Sequence, residues 1–142
     1  MKAFFDTSVL LAAFLDDHEH HEPSLRALSG VTAKTGCCAA HTLAELYATT
    51  TRLPGRRRLS CEQALLLIEN VTTTLDLVHL DGSQYVAAIE NAAAAGVIGG
   101  TIYDAMLLAC ANKVRARVIY TWNVGHFQRA YPQAAGRIQT PR

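Results

Sequence analysis

The sequence predicts an α/β fold with three layers, a mainly parallel central sheet between two layers of helices. Three observations predict it. Short apolar, strand-like runs alternate with longer stretches of helical periodicity along the chain. Half of the 142 residues are hydrophobic and 18% are charged, the balance of a core-forming globular chain. Isolated carboxylates fall at a strand end and beside apolar helix, where open parallel sheets hold their ligands. The length suits one domain over residues 1–142, and no repeat, low-complexity tract or linker divides it.

The elements follow in order. Lys2–Phe5, within the run Met1 to Asp6, is a strand, and Ser8–Leu15 a helix. His18–Ser29 is a second helix, with Pro23 near its start, where proline is tolerated. Cys37–Ala40 is a short buried strand. His41–Arg52 is a helix that stops before Leu53-Pro54-Gly55. Ser60 caps a helix from Cys61 to about Thr73, on which Leu65, Ile68 and Val71 recur at helical spacing. The β-branched cluster Val71–Thr74 is expected to fray its end. Asp76–Leu80 is a strand, and Asp81–Ala95 a helix that Gly96 ends. Gly99-Gly100 forms a loop, and Thr101 caps a helix to about Val114. Arg117–Trp122 is a strand, Asn123–Ala130 a short turn or helix, and Arg137–Gln139 a final edge strand.

Composition excludes several classes. With a net charge of +1 the chain as a whole is not a basic nucleic-acid binder. Arg52, Arg56, Arg57 and Arg58 nevertheless place four of the 13 basic residues within seven positions. That cluster is either a solvated loop or a local contact for an anionic substrate. Cys37, Cys38, Cys61 and Cys110 fit no CxxC or zinc spacing, so a disulfide framework is not expected and a reducing cytoplasm suits them. The N-terminus lacks a signal-peptide layout. No apolar run reaches the ~20 residues needed to span a membrane. A cytoplasmic protein is expected.

Three carboxylates carry the chemistry. Asp6 closes the first strand, Glu45 sits in the apolar helical run His41 to Ala48, and Asp104 precedes the uncharged run Ala105 to Ala111. Each has an ordinary alternative: Asp6 as a helix cap, Glu45 as an exposed helix residue, Asp104 as a first-turn acid that suits the helix dipole. Charge beside so much apolar sequence is costly without compensation. Lone acids converging at one place are what a hard divalent cation needs, which points to metal-dependent phosphodiester chemistry. The His18, His20, His21 cluster reads as a solvated surface, His41 and His79 as structural, and Asp81 as a cap for the next helix.

The joint pattern is more specific than its members. FFDTSVLL, AELYATTTRLP, GGTIYDAMLLACA and IYTWNVGHF, in that order, resemble the PIN domain, and within it the VapC-type toxin ribonucleases of toxin–antitoxin pairs. The resemblance runs from residue 2 to about residue 139. It implies a PIN-like α/β/α fold and a Mg²⁺- or Mn²⁺-dependent endoribonuclease acting on single-stranded or loop RNA. It places the family's acids on Asp6, Glu45 and Asp104 as catalytic and metal-binding residues. It also implies a small antitoxin partner and a homodimer. Thr7 and Ser8 follow the first acid; with Arg52, Arg56, Arg57, Arg58 and Thr121 they are the expected substrate-binding positions.

The chain departs from the family at the fourth acid. The segment Thr121 to Phe127 has no carboxylate, and Asn123, a weaker neutral metal ligand, or His126 stands nearby. A catalytically decayed RNA-binding or interaction module is the alternative this departure favours. A haloacid-dehalogenase phosphatase would need an acid where Ser8 stands. A phospho-receiver domain would need adjacent acids and a late lysine, and neither is present.

Overall fold

The computed structural model describes residues 2–142; Met1, where the opening run begins, lies outside them. The elements are β1 (Ala3–Phe5), α1 (Thr7–Phe14), α2 (His21–Ser29), β2 (Gly36–Ala39), α3 (Ala40–Thr50) and a 3-10 turn at Gly55–Arg57. Then come α4 (Cys61–Thr74), β3 (Asp76–Val78), α5 (Gly82–Ala94), α6 (Thr101–Lys113), β4 (Val118–Tyr120), α7 (Val124–Ala130), a 3-10 stretch Pro132–Arg137 and β5 (Ile138–Gln139).

The five strands form one sheet in the order β3-β2-β1-β4-β5, and every pair is parallel. Ala3 on β1 registers with Gly36 on β2 and with Val118 on β4, so β1 is the central strand. Strand side chains alternate between faces, and here each face has its own core. Phe4, Cys37 and Ile119 pack against Leu107, Leu108 and Ala111 of α6 and Phe127 of α7. Phe5, Cys38 and Val118 pack against Val9 and Leu10 of α1, Leu46 of α3, and Leu67 and Val71 of α4. The expected three-layer α/β/α arrangement is therefore present, with an all-parallel sheet. The chain winds outward from β1 through β2 to β3, then returns to add β4 and β5 on the other side of β1. A crevice opens at such a reversal, at the carboxyl ends of the strands. It falls between β1 and β4, where Asp6 and Thr121 stand.

Local chemistry moves several boundaries. α1 begins at Thr7, because Asp6 caps it: its carboxylate accepts the Ser8 N–H. α2 begins at His21, because His18–His20 form a turn in which the His21 N–H donates to the His18 carbonyl. α4 runs through Thr74 without fraying. The hydroxyls of Thr72, Thr73 and Thr74 donate back to the carbonyls of Glu69 and Asn70, and Val71 is buried. Gly100, not Thr101, stands at the cap of α6, following a turn at Gly99 with φ +63°. Ser60 caps α4 as expected, in a capping box closed by Gln63. β4 ends at Tyr120, so Thr121 and Trp122 leave the strand and enter the crevice.

Gly36 shows how tightly the second core is packed. A Cβ there would stand 2.7 Å from Val31 Cγ2 and 2.8 Å from Leu75 Cδ2. Overpacking of this kind costs about 1–3 kcal/mol. Gly36→Ala is therefore expected to lower the melting temperature by several degrees without changing the far-UV circular dichroism. An unchanged melt would mean that Val31 and Leu75 can rotate aside.

Candidate active site

The crevice floor is built around Asp6. Its backbone N–H donates to the Tyr120 carbonyl at 3.0 Å, which ties the end of β1 to the end of β4. The residue is 3% exposed. Ser8 Oγ donates to Asp6 Oδ2 at 2.7 Å and Thr121 Oγ1 donates to the same oxygen at 2.9 Å, joined by the Ser8 N–H at 3.4 Å. Two backbone groups brace those hydroxyls in turn. The Trp122 N–H donates to Ser8 Oγ at 3.0 Å, and the Asn123 N–H donates to Thr121 Oγ1 at 2.9 Å. Burial pushes the Asp6 carboxyl above its ordinary pKa, and the hydroxyl and amide donors only partly offset it.

Glu45 reaches the crevice from α3 and is half-buried. Thr7 Oγ1 donates to Glu45 Oε1 at 3.1 Å and lies 3.0 Å from the hydroxyl of fully buried Thr42. Burial raises the Glu45 pKa; the Thr7 hydrogen bond and the nearby His41 lower it, and the charges of Asp6 and Asp104 raise it. Asp104 stands in the first turn of α6, also half-buried. Burial raises its pKa first, then the charge of Asp6, while His126 acts to lower it.

Glu45 thus lies in the field of both other acids, and Asp104 in that of Asp6. None of the three forms an ion pair with a lysine or arginine among the described residues. Like charges so arranged are an uncompensated cost. The donor set is hard carboxylate oxygen, the chemistry of a Mg²⁺ or Mn²⁺ site. Among the described residues, no three Asp, Glu, His or Cys side chains stand close enough to enclose an ion by themselves. The expected convergence of the three acids on one ion is therefore not reached by their side chains alone; what links them is hydrogen bonding through Thr7 and Ser8 and mutual charge.

The remaining expected site residues fall in three places. Thr7, Ser8 and Thr121 lie in the crevice, with their hydroxyls engaged on the acids. Asn123 is exposed at the start of α7. Arg52, Arg56, Arg57 and Arg58 are exposed on the loop between α3 and α4. Arg57 pairs with Asp17 at 3.0 Å, and Arg58 Nε donates to the Leu53 carbonyl at 2.9 Å. Asp81 is the cap of α5, as expected, and its carboxyl is held below the usual range by the Gln84 N–H.

The histidine cluster is not a simple solvated face. His21 Nδ1–H donates to the Ala12 carbonyl at 2.9 Å, His18 Nδ1 accepts the His20 N–H at 3.0 Å, and the His20 ring stacks on Trp122. Thr42 and His41, the helical neighbours of Glu45, stand beside the site, although His41 is expected from sequence to be structural. Both lie three or four residues before Glu45, and that helical spacing was the available signal.

Comparison with known proteins places the chain in a family and matches its fold. The PIN domain family matches residues 3–131. Ribonuclease VapC40 of Mycobacterium tuberculosis is 33% identical over 115 residues, covering 80% of this chain and 81% of that protein. Among solved structures, M. tuberculosis VapC20, described as a sarcin–ricin loop cleaving toxin, superposes with a TM-score of 0.75 at 16% identity, covering 99% of this chain and 100% of that one. DNA-bound VapBC from Salmonella typhimurium gives 0.69 at 21% identity, covering 99% and 98%. VapBC-1 from nontypeable Haemophilus influenzae gives 0.68 at 19% identity, again covering 99% and 98%.

Proposed function

Because this chain belongs to the PIN-domain family, on its VapC ribonuclease branch, we propose that it is a Mg²⁺- or Mn²⁺-dependent endoribonuclease that cleaves single-stranded or loop RNA. The observation that carries the proposal is the set of Asp6, Glu45 and Asp104 linked by charge and hydrogen bonds, all raised in pKa and, among the described residues, with no lysine or arginine paired to them. A divalent cation bound there supplies neutralising charge for a phosphate oxygen and a water of lowered pKa. The chain's own residues do the rest. The three carboxylates are the ligands, with Asn123 as a further neutral one. Ser8 and Thr121 hold Asp6, and Thr7 holds Glu45, so that their oxygens keep a fixed aim. Thr7, Ser8 and Thr121 also form the floor on which the substrate backbone would rest. His126 lies within electrostatic reach of Asp104.

Arg52 and Arg56 are the phosphate contacts; Arg57 and Arg58 shape the loop through Asp17 and Leu53. Arg52→Ala combined with Arg56→Ala is expected to weaken RNA binding across sequences. The slope of log affinity against log salt should shrink by roughly 1.4, at ~0.7 for each single-strand phosphate no longer neutralised. An unchanged slope would return both residues to a solvated loop.

A small antitoxin is the proposed regulatory partner, as the VapBC relatives are toxin–antitoxin complexes. A homodimer is proposed as well. Two exposed apolar patches support these partners: Leu65 and Leu66 on α4, and Tyr85, Val86, Ile89, Ile98 and Tyr103 around α5 and α6. Among the described residues no helix is long and apolar enough to cross a membrane. The four free cysteines support a cytoplasmic setting.

The alternative is a decayed RNA-binding module, favoured by Asn123 in place of a fourth acid. One assay separates the two: incubation of pooled RNA with the protein and Mg²⁺ or Mn²⁺, with and without EDTA. Cleavage that EDTA stops supports the ribonuclease. Binding without cleavage, under either ion, supports the decayed module.

A further inference from the structure

The His20 ring lies over the Trp122 indole at a centroid distance of 3.8 Å and an interplanar angle of 9°. No hydrogen bond or charge of the acid cluster requires this stack, yet it is joined to that cluster. The Trp122 N–H donates to Ser8 Oγ at 3.0 Å, and Ser8 Oγ donates to Asp6 Oδ2 at 2.7 Å. Trp122 cannot swing away, because its indole N–H donates at 2.8 Å to Ser24 Oγ, and Ser24 is fully buried. His20 covers one ring face while its own side chain remains 37% exposed. The Arg57–Asp17 ion pair binds the basic loop to the segment just before His20. The arginine-bearing loop, the aromatic pair and, through Ser8, Asp6 are therefore joined in one connected region.

We infer that the His20–Trp122 stack is a nucleobase platform, receiving a base of the RNA strand close to the phosphodiester held by the acids. This inference rests on the proposal that the crevice takes RNA. Single-stranded RNA is recognised chiefly by stacking splayed bases on aromatic and histidine rings. A pinned, part-exposed pair contributes such a surface with little ordering cost. Stacking is tolerant of base identity, so the platform adds affinity and strand placement ahead of sequence preference.

The test uses the full chain carrying Asp104→Asn, so that the strand stays intact, in Mg²⁺. The probes are a labelled adenosine strand of about ten nucleotides and an abasic strand of equal length. Affinity is read by anisotropy. Trp122 emission is followed in parallel, and it is unambiguous because this is the chain's one tryptophan. Adding His20→Ala is expected to weaken binding of the adenosine strand roughly 5- to 150-fold, the range for one stacked base. It should leave binding of the abasic strand unchanged, and His20→Phe should restore the adenosine affinity. Trp122 emission should change on binding the adenosine strand only.

Equal weakening on both strands would make the stack a brace for Asp6 and overturn the platform, as would unchanged adenosine affinity. The outcome is separable from the catalytic proposal. A base-dependent loss in a protein that cleaves no RNA keeps the platform and removes the nuclease. Cleavage by the parent with no base dependence does the reverse.

Discussion

Asp104→Asn is expected to abolish metal-dependent RNA cleavage while leaving the fold intact. Loss of a supporting residue around a metal ligand typically costs 10- to 100-fold. Loss of an anionic ligand itself should cost at least about 100-fold, because Asn123 brings no charge with which to replace it. The fold should not suffer. Asp104 lies on α6, half-buried, in the field of Asp6 and with no ion pair among the described residues. The amide keeps its size and removes a repulsive charge.

A pH dependence follows with a definite sign. Asp6, Glu45 and Asp104 are all raised above their ordinary values of 3.8, 4.5 and 3.8. The folded state therefore holds these protons more tightly than the unfolded chain. Their stabilising contribution is fully present below the ordinary values and is lost as pH rises through the raised ones. The Asp81 cap acts in the opposite sense and at lower pH, since its carboxyl is held below 3.8. In EDTA the parent should melt higher at mildly acidic pH than at neutral pH. Asp104→Asn should flatten that gain and melt no lower than the parent at neutral pH. Thermal melts across this range check it; a variant that melts well below the parent would make Asp104 a structural residue.

Replacing Asp6 should be as damaging to cleavage, and the choice of substitute separates its two roles. Asp6 is a ligand candidate and also the cap of α1. Asn can accept Ser8 Oγ, Thr121 Oγ1 and the Ser8 N–H on its single oxygen, since all three fall on Oδ2. Asp6→Asn should thus be inactive and close to the parent in stability. Asp6→Ala loses the cap, worth about 1 kcal/mol, and leaves buried hydroxyls without an acceptor, at about 1–3 kcal/mol. Relief of the buried charge offsets part of this. Asp6→Ala should be inactive and should melt several degrees below Asp6→Asn. Activity in Asp6→Asn would reduce this residue to a cap.

Much of this was legible in the sequence, for physical reasons. Asp6 stood out because a carboxylate directly after Phe4 and Phe5 must be capped, paired or liganded. The parallel order followed from strands and helices in alternation, and Ser60 and Asp81 followed from capping chemistry. What escaped depended on contacts distant along the chain. The turn at His18–His20 is set by an imidazole accepting a backbone N–H, which no periodicity reveals. The threonine run at the end of α4 suggested fraying, yet its hydroxyls return to the helix carbonyls. Trp122 looked like strand sequence, but it leaves β4 to meet Ser24 and His20 across the crevice.

Asp6, Glu45 and Asp104 are proposed to make one divalent-cation site. Its most direct test is Mn²⁺ binding followed by the electron paramagnetic resonance signal of the free ion. The parent should remove Mn²⁺ from solution saturably, and Asp6→Asn, Glu45→Gln and Asp104→Asn should each weaken that uptake by at least about tenfold. A parent that binds no Mn²⁺, or uptake unchanged in any one of the three variants, would contradict the site.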